Sequence, residues 1–205
     1  MGSLIKRQNG FLDVISAGSI SYLTEKELNR LTEEFERYLE TPPKNKRKYK
    51  YWLTFLFLRF TGARISEVLA IDDRRDINIR DSEVKMVILK RRKKLYKTIP
   101  IPDRLISEYL RTVKLYPELE GKIFKINRSN FYKVFSKLCK KAGIQKELAH
   151  PHILRHTRAV ELVRNGVPLT IVQKLLGHYS LSNTAVYLQF SAHEVKDILK
   201  VKNLI

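Results

Sequence analysis

Two arginines far apart in the chain carry the first chemical clue. Arg64 sits in Thr-Gly-Ala-Arg-Ile-Ser-Glu at 61–67, just after a glycine turn and at the start of an apolar helical stripe. Arg155 sits in HPHILRH at 150–156, three residues after His152. A guanidinium grips two oxygens of an anion at once and keeps its proton at any working pH. A helix start adds free N–H groups that also favour an anion. Residues three apart share a helix face, so His152 and Arg155 can meet the same anion, while His156 reads as a structural residue pointing away. Further along stand Gly177-His178 and, nine residues after that histidine, Tyr187. Cutting a phosphodiester needs charge on the non-bridging oxygens, a proton for the leaving oxygen and a nucleophile. Arginine supplies the first without any metal.

The elements that must hold these residues read mainly as helices. Thr24 and Glu27 form a capping box opening a helix to about Leu39, with Leu28, Leu31, Phe35 and Leu39 on one face. The prolines and basic run of PPKNKRKYKY at 42–51 read as a loop, either solvated or facing a polyanion. An apolar helix follows at 51–60, then the Gly62 turn, then a stripe of Ile65, Val68 and Leu69 ended by Asp72-Asp73. From 76 to 102 the period changes to two. INI, EVKMVILK and YKTIPIP predict three short antiparallel strands, with Val84, Met86, Ile88 and Lys90 on one face and RRKK at 91–94 as a hairpin tip. Helices resume at 103–116 and at 128–142, the latter with a stripe of Phe131, Val134, Phe135 and Leu138 stopped by Gly143. Pro151 suits the first turn of the next helix, which runs to Asn165-Gly166. A short helix at about 169–176 turns Ile171, Val172, Leu175 and Leu176 inward and ends at Gly177. Ser182 caps a helix carrying Tyr187, and a tail helix closes the chain at about 193–205. The expected fold is α+β, mainly α-helical with a small three-stranded antiparallel sheet. Its organisation is an N-terminal tail or arm at 1–20 and one domain at 21–205.

Composition sets the partner. Of 205 residues, 40 are Lys or Arg against 21 Asp or Glu, a net charge of +19. That much self-repulsion disfavours a compact chain unless a polyanion neutralises it, with nucleic acid the first candidate and an anionic membrane the second. No run is long enough to span a bilayer; WLTFLFLRF at 52–60 is far too short. Residues 1–18 lack the apolar core of a signal peptide. The single cysteine, Cys139, excludes an internal disulfide and a cysteine-rich metal site, and fits a reducing compartment. These features predict a cytoplasmic protein.

Taken together, TGARISE, His152-x-x-Arg155, Gly177-His178 and Tyr187 in this order resemble the catalytic signature of the tyrosine recombinases of phage-integrase and Xer type, over about residues 21–190. The resemblance implies a tyrosine recombinase catalytic-domain fold and a site-specific recombinase that cuts and rejoins DNA through a 3′-phosphotyrosine. It makes Arg64 the first catalytic arginine, Glu67 its orienting partner and Arg155 the second arginine. His152 becomes a proton-handling or phosphate-binding partner, and His178 a donor to the phosphate. Tyr187 becomes the nucleophile, chosen by spacing over the neighbouring Tyr179. The general acid is a lysine of the hairpin between the second and third strands. Lys90 holds that place counting forward from Arg64, and Lys93 or Lys94 counting back from Pro100. The phosphotyrosine keeps the bond energy, so neither ATP, metal nor other cofactor is expected. The implied partners are double-stranded DNA and further copies of the chain, from dimer to tetramer, with no membrane. Relatives of this kind carry an N-terminal clamp domain, for which residues 1–20 are too short. Two rival readings use the same residues: a type IB topoisomerase-like enzyme, and a basic DNA-binding protein without turnover.

Overall fold

The structure is a computed structural model describing residues 21–88, 95–177, 184 and 200. Helix α1, Glu25–Glu40, opens on the expected capping box: Thr24 accepts from the Glu27 amide, and the Glu27 carboxylate accepts from the Thr24 amide. Leu28, Leu31, Phe35 and Leu39 lie buried along it. Helix α2, Lys46–Thr61, is longer than its apolar segment suggested. Asn45 caps it by accepting from the Arg47 and Lys48 amides, which turns most of the expected basic loop into helix. Lys48 and Tyr49 are buried there, and the Lys48 ammonium bonds the Thr41 carbonyl and lies over the Tyr38 ring.

The aromatic core lies where α1, α2 and the later α6, Arg128–Lys141, meet. Phe35 stacks on Phe55 with centroids 4.1 Å apart, and Trp52 and Phe135 close around them. Each such pair adds about 0.5–1.5 kcal/mol beyond its buried area. This cluster is the apolar anchor of the domain. The Trp52 indole N–H finds the Glu108 carboxylate at 2.7 Å, so its polar tip is satisfied.

Short helices α3, Ile65–Val68, and α4, Asp73–Asp76, follow the Gly62 turn. The Asp72-Asp73 pair was expected only to end a stripe; Asp72 instead caps α4, and Asp73 accepts from the Gly121 and Ile123 amides. Strands β1, Ile77–Asn78, β2, Glu83–Ile88, and β3, Leu95–Pro100, form an antiparallel sheet in that order, with Val84 opposite Ile99 and Met86 opposite Lys97. Val84 and Met86 are buried as period two required. Helix α5 covers Asp103–Leu115, and Gly143 sits just past α6 in the left-handed region. Helices α7, Ile153–Arg164, and α8, Leu169–Leu176, finish the described fold. Pro151 lies one residue ahead of the α7 cap, not in its first turn, because His152 takes the cap position. Ile171, expected inward, is exposed, and Val172 and Leu176 carry the buried face of α8. The domain is therefore mainly helical with a small three-stranded antiparallel sheet. No helix among the described residues is long and apolar enough to cross a membrane. The tail at 1–20, residues 89–94 with the RRKK hairpin tip at 91–94, and the tail helix at 193–205 apart from Lys200 lie outside the described residues.

Candidate active site

The Gly62 turn builds the site. The Thr61 hydroxyl bonds back to the Phe57 carbonyl and accepts from the Ala63 amide, and Gly62 ends α2 at φ 61°. A Cβ at Gly62 would stand 2.8 Å from Leu176 Cδ2 and 3.3 Å from the Arg158 side chain. Only glycine fits both that backbone and that space. The turn thus brings α7 and α8 against the end of α2. A second clasp fixes the same junction: Glu161 of α7 takes both nitrogens of Arg59 at 2.8 and 2.9 Å, and Arg158 at 2.8 Å.

Both sequence-predicted arginines converge on this turn. Arg155 is 2% exposed and donates to the Gly62 carbonyl at 2.9 Å. Arg64 caps α3 and donates to Glu67 Oε1 at 2.8 Å, while Glu67 Oε2 accepts from the Arg64 amide at 3.2 Å. Glu67 is wholly buried, so one carboxylate sets both the backbone and the guanidinium of Arg64. His152 lies at the α7 cap with its side chain open to solvent on one side. Its pKa is pushed down to about 4, first by burial of the ring, then by the charges of His156, Arg155, His150 and Arg64. At neutral pH it is an uncharged imidazole, with one ring nitrogen to donate a hydrogen bond and one to accept. His156 was expected to face away, yet its ring packs edge-on against His152 at 4.7 Å, because residues four apart on a helix are neighbours.

One residue of this cluster was missed. Lys97, on β3, is 8% exposed and reaches Glu67 Oε2 at 3.3 Å. It also donates to the Leu175 and Leu176 carbonyls at 2.9 and 3.2 Å. Burial lowers its pKa to about 8; Glu67 opposes that shift, while the positive charges of Arg155 and Arg64 add to it. The signal was present: Lys97 and Ile99 alternate on the inward face of β3, and a lysine at an inward strand position needs a reason. Beside it a groove of about 520 Å³ opens between β2–β3 and α8, lined by Ile88, Lys97, Gln173 and Gly177 among others. The structure thus brings Arg64, Glu67, His152 and Arg155 together around one turn. Lys90, Lys93, Lys94, His178, Tyr179 and Tyr187 lie outside the described residues.

This arrangement sets two oriented guanidiniums and a neutral imidazole at the junction of a glycine turn and a helix start, the donor types that a tetrahedral oxyanion can use. Residues 21–194 match the family model of the phage integrase family. The chain belongs to the phage integrase family. Among its relatives, a tyrosine recombinase of Pseudothermotoga lettingae is 34% identical over 176 residues, covering 82% of this chain and 58% of that protein. The crystal structure of XerA recombinase superposes with a TM-score of 0.70 at 22% identity, over 93% of this chain and 66% of that one. The XerH site-specific recombinase bound to its difH substrate, in a pre-cleavage complex, gives 0.66 at 25% identity, over 86% of this chain and 52% of that one. The family fold is the one described above, and the chain spans less than two thirds of the length of the first curated relatives it matches.

Proposed function

We propose that this chain is the strand-cutting and rejoining domain of a tyrosine-type site-specific recombinase acting on double-stranded DNA. In this reading the scissile phosphate binds between Arg64 and Arg155, and Tyr187, giving up its phenolic proton to a base, attacks the phosphorus through its oxygen. The bond to the 5′ oxygen breaks, a hairpin lysine (Lys90, or else Lys93 or Lys94) gives that oxygen its proton, and a 3′-phosphotyrosine remains. A 5′ hydroxyl of a partner strand then attacks the same phosphorus and displaces Tyr187, so bond energy is kept and no cofactor is called for. His152 handles a proton or holds the phosphate, and His178 donates to it. The partners are DNA and other copies of the chain, dimer to tetramer, and the place of action is the cytoplasm.

The observation that carries this reading is the convergence of Arg64 and Arg155 on the Gly62 turn, inside a family fold and in a chain of net charge +19. Two fixed guanidiniums suit the growing charge of a phosphoryl transition state. The relatives named above are recombinases, which favours strand exchange over relaxation of supercoils. The test is a pool of nicked suicide duplexes of randomised sequence, scored on denaturing gels for a covalent protein–DNA band. Wild-type protein forms the band; Tyr187→Phe binds DNA as well but forms none. A band that survives in the Phe variant removes Tyr187 from the reaction and turns attention to Tyr179.

A further inference from the structure

Helix α8 ends at Gly177, whose amide bonds the Gln173 and Lys174 carbonyls. That leaves the Leu175 and Leu176 carbonyls, the last two of the helix, without an amide partner from the described chain. Both are taken by one ammonium, that of Lys97, whose third contact is the Glu67 carboxylate. A lysine ammonium has three N–H groups, and here three acceptors surround it. The negative end of the α8 dipole points at the same charge. Glu67 in turn holds Arg64 through its backbone amide and its guanidinium. Gly177, which sits at φ 70°, lies directly against the same ammonium: a Cβ there would stand 3.5 Å from Lys97 Nζ and 3.8 Å from Ile88.

We infer that Lys97 is a positioning residue that ties the arginine-bearing turn to the end of α8, and so fixes where the chain leaves Gly177 toward His178 and Tyr187. The consequence for catalysis rests on the recombinase reading. Arg64 belongs to one end of the domain's sequence and the nucleophile to the other. A tyrosine reacts only when its oxygen lies in line with a phosphorus already gripped by the arginines, and a misplacement of about 1 Å can cost roughly 10²-fold in rate. The short path from Arg64 through Glu67 and Lys97 to the α8 carbonyls is the means of holding that alignment. A buried ammonium is expensive to desolvate unless its contacts are good, and burial lowers the pKa of Lys97 to about 8. An apolar residue at this inward strand position would serve packing alone better. A role in packing alone therefore does not account for it.

The experiment compares wild type, Lys97→Met and Lys97→Arg as full chains, by two readouts. The first is amide hydrogen exchange, which needs no DNA. Lys97→Met should speed exchange at Leu175, Leu176 and Gly177 by at least tenfold while α1 and α6 keep their protection, and Lys97→Arg should restore part of it. The second is the covalent band from the randomised nicked pool. Lys97→Met should lower its rate of formation by roughly 10²-fold with DNA affinity within about twofold, and Lys97→Arg should regain part of that rate. Unchanged exchange at the end of α8 in a folded Lys97→Met overturns the inference. Loss of protection throughout the domain, or failure of both variants to fold, overturns it equally, since Lys97 would then serve the core in general. If wild type gives no covalent band, the recombinase reading falls, and the exchange data still decide whether Lys97 ties α8 to the turn.

Discussion

Two interiors stand side by side in this domain, built by opposite rules. Between α1, α2 and α6 the core is aromatic: Phe35, Trp52, Phe55, Phe131 and Phe135 pack ring on ring with their few polar tips satisfied. Between the Gly62 turn, β3, α7 and α8 the interior is charged: Glu67, Lys97 and Arg155 are at most 8% exposed and are held by one another and by backbone carbonyls. Apolar burial supplies net stability, whereas buried ion pairs often do no better than an apolar replacement. The aromatic region is what a fold needs. The charged region has to be explained by what it holds.

The comparison breaks most visibly in stability. Phe35→Ala removes the ring at the centre of the aromatic stack and should destabilise the domain by about 3–5 kcal/mol, a loss of roughly 10 °C in melting temperature. Formation of the covalent band per folded molecule should be unchanged, because Phe35 touches none of the charged cluster. Thermal melts followed by cleavage assays well below the transition separate the two effects. A catalytic loss larger than the folded fraction explains would mean that the two interiors are one.

Arg155→Ala is the converse. It should lower cleavage by about 10²–10³-fold, as for one lost transition-state donor, or about 2.7–4 kcal/mol in the barrier. The melting temperature should fall less than in Phe35→Ala, since the aromatic core stays intact, although the hydrogen bond to the Gly62 carbonyl is lost. A variant that melts as early as Phe35→Ala while cleaving normally would make Arg155 a structural arginine. The same comparison explains which parts of the molecule were legible in its sequence. The aromatic half was plain, because Leu28, Leu31, Phe35 and Leu39 repeat at helical period and a capping box marks their start. The two candidate arginines stood out through local wording, a glycine turn before Arg64 and a histidine three before Arg155. What could not be read was anything settled by distant contacts. Asn45 drew the basic run into α2, the Gly62 carbonyl found Arg155 across the domain, and Lys97 met the end of a helix formed much later in the chain. The alternation on β3 that turns Lys97 inward does not itself name its partners. His156 was misplaced for a simpler reason: the face it shares with His152 follows from four-residue spacing, which was overlooked.

The smallest expected effect concerns His152, and it tests whether the charged region acts on its neighbours as a field. An unfolded histidine titrates near 6.5. In the folded chain burial and the surrounding His156, Arg155, His150 and Arg64 hold it at about 4. Above pH 6.5 the ring is neutral in both states and its titration contributes nothing to the pH dependence. As pH falls from 6.5 toward 4 the unfolded chain takes up a proton that the folded one refuses, so stability drops across that window and levels off below it. The side chain is partly open to solvent, so screening makes the loss modest. His150 and His156 are shifted the same way, and only a difference between variants isolates His152. Melting temperatures taken from pH 7 to pH 4.5 should therefore fall more steeply in wild type than in His152→Gln. An anion held between the arginines reverses the sign of the local field and raises the pKa of the ring. Repeating the series in inorganic phosphate should then flatten the wild-type slope toward that of the variant. Parallel slopes without phosphate would show that His152 titrates as an ordinary surface histidine, and that the positive charges of Arg64 and Arg155 do not reach it.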